Sequence, residues 1–176
     1  LPLVFQTKGA KTFKSAEGLG SLASYILFKR GMLASNGIEA FAFASSGVDK
    51  STSAPDVELI FAPLDCRNQF LDPPLVDAFG VGASVVAPKS RGRVSLKSSD
   101  PLSPLAIDLG LLNDPDGIDI SVLMAAVRLT RKIAATAPLG AFNIGEMRPG
   151  PGEETEDQIL AYAAKELQTV YHPTST

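Results

Sequence analysis

The chain has 176 residues, of which 45% are hydrophobic and 20% are charged, so it can bury one sizeable core. Its formal net charge of -3 argues against a nucleic-acid partner, which would favour a basic patch. The single cysteine, Cys66, excludes an internal disulfide and a cysteine-rich metal site. No apolar run reaches the length of a membrane span, and the chain opens on an expected strand rather than a signal peptide. We therefore expect both ends to be cuts through a longer protein.

The first half of the chain predicts strands, one helix and an irregular loop. Residues 3–7 form the first predicted strand, and Ser15 is expected to cap a helix whose apolar residues recur at helical spacing. Residues 38–44 and 57–62 are predicted strands joined by a polar, hairpin-like connection. Residues 63–79 contain three prolines and are expected to form an excursion that covers a site or contacts another subunit.

One of these strands carries an unusual face. Alternation along residues 38–44 places Glu39, Phe41 and Phe43 together, because successive side chains of a strand point to opposite sides. A carboxylate beside two aromatic rings has two interpretations. Glu39 is either a strand-end charge in water or a polar point in an apolar pocket.

The second half predicts two more strands and a long helix. Strands are expected over residues 81–87 and 92–97, the second with one solvated face as in an antiparallel sheet. An amphipathic helix is expected over residues 118–137. The residues expected on its buried face are Val122, Ala126, Leu129 and Ile133.

A last helix is predicted to lead to the only histidine of the chain. Thr155 and Gln158 have the spacing of a capping box, which marks its start. That helix is expected to deliver His172, and Pro173 would prevent it from continuing. Its buried side is expected to carry Ile159, Ala163, Leu167 and Val170. A single histidine is usually a surface or satisfied core residue, yet imidazole is also the side chain best suited to proton transfer near neutral pH.

Segregated strands and helices predict an α+β fold, with an antiparallel sheet packed against about three helices. The sequence contains no glycine-rich phosphate loop, since Gly18-Leu19-Gly20 falls in the first predicted helix. No metal-ligand set or Ser-His-Asp constellation is present. Asp114, Asp116 and Asp119 lack calcium-loop spacing and are expected to cap a helix, and Cys66 is expected to be an ordinary loop thiol.

Three stretches resemble the glucose-methanol-choline (GMC) oxidoreductase family, in the right order along the chain. They are GMLASNGIEA at residues 31–40, RGRVSLKSSDP at 91–101, and YHPTST at 171–176. The second stretch is followed by Pro104, Ile107, Leu112-Asn113-Asp114 and a helix with Val127-Arg128-Leu129-Thr130-Arg131.

This resemblance implies that residues 1–176 are the substrate-binding domain of a flavoenzyme whose cofactor is FAD. It places the glycine-rich FAD-binding domain of the same polypeptide before Leu1, and further flavin contacts after Thr176. The motif histidine of the family accepts the proton of a small-molecule alcohol substrate while hydride passes to the flavin, and His172 matches it. Pro173 and Thr174 are the cofactor contacts that the resemblance implies within this chain.

The resemblance also implies substrate-binding residues. Choline-type members carry a glutamate after a similar Ser-Asn stretch, so Glu39 would act as a counter-ion and, with Phe41, suit a quaternary ammonium. The many Ala and Phe positions are as compatible with an aliphatic or aryl alcohol. In the photodecarboxylase branch the working cysteine would fall at Ile38 and the carboxylate-binding arginine at Ile60, and neither isoleucine can do that chemistry.

Two functions therefore stay open from the sequence. The first is part of an FAD-dependent enzyme that oxidises a primary alcohol to an aldehyde, with His172 as the proton acceptor and Glu39, Ile38, Phe41 and Ile60 around the substrate. The second is a non-catalytic module that binds a ligand or a partner. A photodecarboxylase relative is disfavoured at the three positions that would define it: Ile38, Ile60, and His172, where that branch carries an asparagine.

Overall fold

The chain folds into an antiparallel sheet with two helices packed on one side, as seen in a computed structural model that describes residues 1–68 and 71–172. The main sheet has the strand order β2-β3-β4-β1-β7 and every neighbouring pair is antiparallel. Its strands are β1 (Pro2–Thr7), β2 (Ala40–Ala44), β3 (Val57–Ala62), β4 (Ala78–Val85) and β7 (Asn143–Arg148). A separate two-stranded sheet pairs β5 (Arg93–Ser95) with β6 (Ala106–Asp108). The helices are α1 (Leu19–Phe28), α2 (Ile118–Ala135) and α3 (Glu156–Glu166). The predicted α+β class is confirmed.

The strand register gives the main sheet two different faces. On the inner face, alternate residues of β1, β3 and β4 are buried against α2 and α3, and burial of apolar area stabilises the fold. The core on this side includes Leu3, Phe5, Leu59, Val81, Leu123, Val127 and Ile159. The outer face carries the residues that alternate with these along the same strands. In the part of the chain that the structure describes, the core helices α2 and α3 pack on the inner face.

The helix α1 begins later than the sequence predicts and contributes no buried side chain. The expected cap at Ser15 is wrong, because Ser15 lies in a short 3-10 turn and its hydroxyl bonds to the carbonyl of Thr12 at 2.8 Å. Gly18 holds the N-cap position without a side-chain bond. Among the described residues, no helix combines the length and the apolar character that a membrane crossing requires.

The helix α2 forms where expected, and two of the four residues predicted on its buried face, Val122 and Ala126, are buried. The other two predictions are wrong or only partly right, because Ile133 is 40% exposed and Leu129 is half-buried. The sequence interpretation therefore found one edge of the buried face and missed the other. The residues that it missed there are Leu123, Met124, Val127, Thr130 and Ala134.

Several strand predictions need correction. The strand expected over residues 81–87 begins at Ala78, and the strand expected over 92–97 is reduced to β5 in the small sheet. All three residues of β5 are exposed, so the expected buried face is absent there. The edge strand β7 was not predicted, because Gly145 and Glu146 interrupt its apolar alternation.

The helix α3 begins with the predicted capping box, in which Thr155 and Gln158 each bond to the backbone of the other. It buries Ile159 and Ala163 as expected. It ends at Glu166, however, so the expectation that it delivers His172 directly is wrong. Leu167 takes an extended conformation after the last turn, and that breaks the helix well before Pro173.

Truncation of Leu123 to Ala should lower the free energy of unfolding by about 2–5 kcal/mol, because the side chain is fully buried and a cavity would remain. The matched variant Ile133→Ala should cost less than about 1 kcal/mol, since that side chain already contacts water. Urea denaturation of both variants would measure the difference. Equal losses would contradict the observed orientation of α2.

Candidate active site

The outer face carries a row of side chains that crosses four strands. In the register, Phe41 pairs with Ile60, Ile60 pairs with Gly82, and Gly82 pairs with Pro2. Directly paired residues of antiparallel strands lie on the same side of a sheet. Phe41 is 58% exposed, Ile60 is half-buried, and no side chain stands at Gly82. We call Phe41, Ile60 and Gly82 the open row, because it forms an accessible apolar floor with a depression at the glycine.

Two carboxylates lie beside the open row. The backbone N–H of Glu39 donates to Phe61 O at 3.0 Å, which extends the β2–β3 ladder by one residue. Alternation from Phe41 therefore assigns the exposed Glu39 to the outer face. Glu58 pairs with Phe43 on the other side of the open row and is half-buried. The combination of two aromatic rings and two carboxylates is the chemistry that suits a cation.

The predicted site residues do not all share this face. Glu39, Phe41 and Ile60 are brought together on the outer face by the pairing of β2 with β3. Ile38 precedes β2, is half-buried, and belongs by alternation with the opposite side. Glu58 and Gly82 were missed by sequence reasoning. The alternation within β3 would have revealed Glu58, whereas Gly82 required the register of β4.

The covering loop, residues 63–68 and 71–77, lies over the other half of the outer face. The thiol of Cys66 occupies the space beside Gly80, where an added Cβ would lie 2.2 Å from Sγ. Asp65 is 2% exposed and forms an ion pair with Arg148, whose strand position opposite Val4 faces the same side. The covering loop therefore closes the sheet around Gly80 and leaves the open row accessible.

Cys66 has the properties of a structural thiol. Its Sγ lies 3.6 Å from the carbonyl oxygen of Leu64, and burial raises the pKa of the thiol to about 12. A thiol that stays protonated near neutral pH is a poor nucleophile. The sequence interpretation of Cys66 as an ordinary loop thiol agrees with this setting.

His172 lies in the segment that follows α3. Val170 and Tyr171 have φ angles of 51° and 61°, and the backbone N–H of His172 donates to Thr169 O at 3.0 Å. These left-handed residues turn the chain sharply, and the His172 side chain is exposed. Pro173 and Thr174, the predicted cofactor contacts, lie outside the described residues.

The end of α3 reaches the boundary between the two faces. A polar cleft of about 300 Å³ is lined by Arg67, Asn68 and Asp72 of the covering loop, by Arg148, and by residues 165–168 after and within the last turn of α3. The core packing of α3 is on the inner face, yet its end borders a loop of the outer face. The segment that carries His172 therefore begins next to the covering loop.

The acidic side chains outside the open row have structural partners. Within residues 1–68 and 71–172, no group of three or more His, Cys, Asp or Glu side chains could hold a metal ion. Asp114 accepts backbone bonds from Ile118 and Asp119 at the start of α2, as the helix-cap interpretation expects. Asp119 itself is buried and accepts the N–H groups of Lys89 and Ser90. Asp114 therefore caps α2 as predicted, whereas Asp119 holds the backbone at Lys89 and Ser90 instead of capping the helix.

Comparison with protein families matches residues 88–176 to the model described as GMC oxidoreductase. An uncharacterized GMC-type oxidoreductase of Mycobacterium tuberculosis is 38% identical over 163 residues, which cover 92% of this chain and 30% of that protein. An oxygen-dependent choline dehydrogenase of Rhizobium rhizogenes is 32% identical over 154 residues, covering 88% of this chain and 27% of that protein. An alcohol dehydrogenase [acceptor] of Pseudomonas putida is 30% identical over 159 residues, with 90% and 28% covered. The chain thus spans less than a third of the length of these relatives.

Solved structures share the fold. A crystal structure of formate oxidase superposes with a TM-score of 0.73 and 18% identity, covering 93% of this chain and 34% of that one. A formate oxidase of Aspergillus oryzae, solved to study the effect of a mutation on FAD modification, gives a TM-score of 0.72 and 19% identity over 92% and 34% of the two chains. At this identity the likeness concerns the fold.

Because Cys66 contacts Gly80 but not Gly82, alanine at these two positions of β4 should have different effects on stability. Gly80→Ala should destabilise the protein by about 1–3 kcal/mol, because the new methyl group would overlap Sγ at 2.2 Å. Gly82→Ala should be tolerated, since the nearest atom, Ile60 Cβ, would lie 3.6 Å away. Thermal unfolding of the two single variants measures the difference.

The double variant Gly80→Ala with Cys66→Ala should recover much of the stability, because the second change removes the overlapping sulfur. A double variant as unstable as the sum of its single changes would contradict the packing of Cys66 on Gly80.

Proposed function

The chain belongs to the GMC oxidoreductase family, and on that premise we propose that it forms the substrate-binding part of an FAD-dependent enzyme that oxidises a primary alcohol to an aldehyde. The observation that carries the proposal is the open row, an accessible apolar floor on the face of the sheet away from the core helices. Small-molecule sites are mostly apolar, with a few polar groups that orient the ligand. The relatives named as alcohol and choline dehydrogenases support an alcohol as the substrate.

The residues present fit the ring of a flavin rather than its phosphates. A planar aromatic ring can lie against the exposed rings of Phe41 and Phe43. This sequence has no glycine-rich loop to hold a pyrophosphate, so that task falls to the FAD-binding domain. Pro173 and Thr174 remain the proposed cofactor contacts in this chain. The flavin, when bound, supplies a two-electron acceptor.

His172 is the proposed proton acceptor. A neutral imidazole nitrogen can take the hydroxyl proton of the alcohol, which places negative charge on the oxygen and eases cleavage of the bond between the adjacent carbon and its hydrogen. The exposed position of His172 after two left-handed residues leaves its ring accessible to a substrate. A positioned base of this kind contributes roughly 10²–10⁴-fold to the rate.

The FAD-binding domain of the same polypeptide is the proposed partner of the exposed apolar surfaces. Leu19, Leu27 and Phe28 of α1 are mostly exposed, and so are Leu96 and Leu102 next to and between the strands of the small sheet. Proteins rarely leave large apolar surfaces uncovered. Docking of the FAD-binding domain on α1 and on the β5–β6 sheet would bury it.

A cationic alcohol such as choline is the second candidate substrate. The specific observation in its favour is the pair of carboxylates, Glu39 and Glu58, beside Phe41 and Phe43 on the outer face. Carboxylates attract a quaternary ammonium and aromatic rings bind it by cation–π interaction. An anaerobic panel of choline and uncharged alcohols, with flavin bleaching as the signal, would identify the substrate class.

The variant His172→Ala in the complete polypeptide should slow flavin reduction by alcohol by about 10²–10⁴-fold, because the hydroxyl proton loses its acceptor. Stopped-flow bleaching of the flavin under anaerobic conditions measures the rate. The flavin absorbance spectrum before mixing serves as the control for retained cofactor. Reduction at nearly the parent rate would rule out the proposed role of His172.

The variant Glu39→Gln separates the two substrate candidates. If the substrate is cationic, KM for choline should rise about tenfold, the factor that corresponds to loss of about 1.4 kcal/mol of charge interaction. KM for an uncharged alcohol should stay unchanged. Glu58→Gln tests the second carboxylate, on the opposite side of the open row, in the same way. Unchanged choline kinetics in both variants would contradict a cationic substrate.

A further inference from the structure

The covering loop is fixed by one half-buried arginine. Nη2 of Arg148 donates to Oδ1 of Asp65 and also to the carbonyl oxygen of Cys66, the latter at 2.8 Å. The second carboxylate oxygen, Asp65 Oδ2, accepts the backbone N–H of Leu75 at 3.3 Å. A single charge pair therefore joins strand β7, the start of the covering loop and its far end.

This attachment also fixes the height of Cys66 above the sheet. Arg148 donates to the carbonyl oxygen of Cys66, and the thiol of Cys66 fills the space beside Gly80. Gly80 and Gly82 are two residues apart on one strand, so they are about 6.8 Å apart on the same face. The thiol thus stands one row away from Ile60 and Gly82.

We propose that Arg148 and Asp65 are positioning residues, which hold Cys66 as a wall at the end of the open row, beside Ile60 and Gly82, and so limit the size of the alcohol that fits there. The inference rests on the proposed function, because it assigns the open row to the alcohol. Neither residue touches the substrate. Both act through the backbone and side chain of Cys66.

The strength of the attachment follows from its burial. Asp65 is almost fully buried, and removal of its partner would leave an uncompensated charge under the covering loop. Among the described residues, the ends of the loop are tied to neighbouring chain by further bonds: Phe13 donates to Pro63 O at 2.9 Å, Thr7 donates to Asp77 O at 2.9 Å, and the Thr12 hydroxyl donates to the Asp77 carboxylate. These bonds hold the two ends of the loop and not the segment around Cys66. Loss of Arg148 should therefore free the segment around Cys66 rather than unfold the whole sheet.

The chain offers a closely matched control. Arg131 of α2 donates two bonds to Glu146 and one to Glu153 O, and its side chain is 25% exposed against 29% for Arg148. Glu146 lies on β7 two residues before Arg148 but pairs with Phe5 on the inner face. Arg131→Met therefore removes an equivalent ion pair on the inner face, whereas the open row lies on the outer face.

The first test measures the accessibility of Cys66 and needs no activity. In the complete polypeptide, alkylation of Cys66 by iodoacetamide is followed by mass spectrometry of its peptide. Arg148→Met should accelerate it at least about tenfold, since alkylation of a covered thiol follows the population of opened loop. Arg131→Met should stay within about twofold of the parent protein. Arg148→Lys, which keeps the charge, should lie between them.

The second test measures alcohol selectivity. Across a series from ethanol to branched and aryl alcohols, Arg148→Met should raise kcat/KM for the bulkiest members about tenfold relative to ethanol, mainly through KM. The value of kcat for ethanol should change little. Cys66→Ala, which removes the wall without touching the ion pair, should shift selectivity in the same direction. Arg131→Met should leave the profile of the parent enzyme.

The outcomes separate this inference from the proposed function. Unchanged alkylation in Arg148→Met, or equal acceleration in Arg131→Met, overturns the positioning role. Faster alkylation with unchanged alcohol selectivity would contradict the claim that Cys66 limits the size of the alcohol. If the parent flavoprotein oxidises no alcohol, the proposed function fails and the wall with it, while alkylation still decides whether Arg148 holds Cys66. Should Arg148→Met not fold, Asp65→Asn and Arg148→Lys provide the same comparison.

Discussion

The antiparallel register of β2, β3, β4 and β1 is the constraint on which the remaining structure depends. Side chains alternate along each strand, so a slip of one residue would exchange the two faces of the sheet. In the observed register the aliphatic residues of β1 and β3 meet α2 and α3. Their alternates, with Phe41, Ile60 and Gly82 in one row, are left for the outer face.

Two glycines of β4 then divide the outer face into a closed and an open half. At Gly80 the missing side chain makes room for the thiol of Cys66, and the covering loop lies down on the sheet. At Gly82 no such side chain arrives, and a depression remains beside Ile60. Arg148 joins this division to the edge strand, because its guanidinium holds both Asp65 and the backbone of Cys66. Two residues of β7 thus serve different faces: Glu146 bonds to Arg131 of α2 on the inner face, and Arg148 holds the covering loop on the outer face.

Local patterns predicted much of the fold. The strands at Pro2–Thr7 and Val57–Ala62, the helix α2 and the capping box at Thr155 all depend on short-range spacing that the sequence displays. The failures lie where tertiary contacts decide. The buried face of α2 extends to Leu123 and Val127 because the sheet packs there, and β7 exists because β1 offers it a partner. The wrong cap at Ser15 has a local cause instead, since its hydroxyl bonds to the carbonyl of Thr12, three residues earlier. Intrinsic preference is a weak prior when packing competes with it.

For the site, the sequence by itself determined the family and predicted some of the residues that would carry the chemistry. His172, Glu39 and the motif stretches are visible without coordinates, and alternation alone groups Glu39 with Phe41 and Phe43. Only the tertiary structure decided which residues of other strands join them, because cross-strand register is a long-range property. It added Glu58, Gly82 and Cys66 to the outer face and separated Ile38 from it. It also linked Arg148 to Asp65, 83 residues apart in the chain, since ion pairs of this kind leave no local pattern in a sequence.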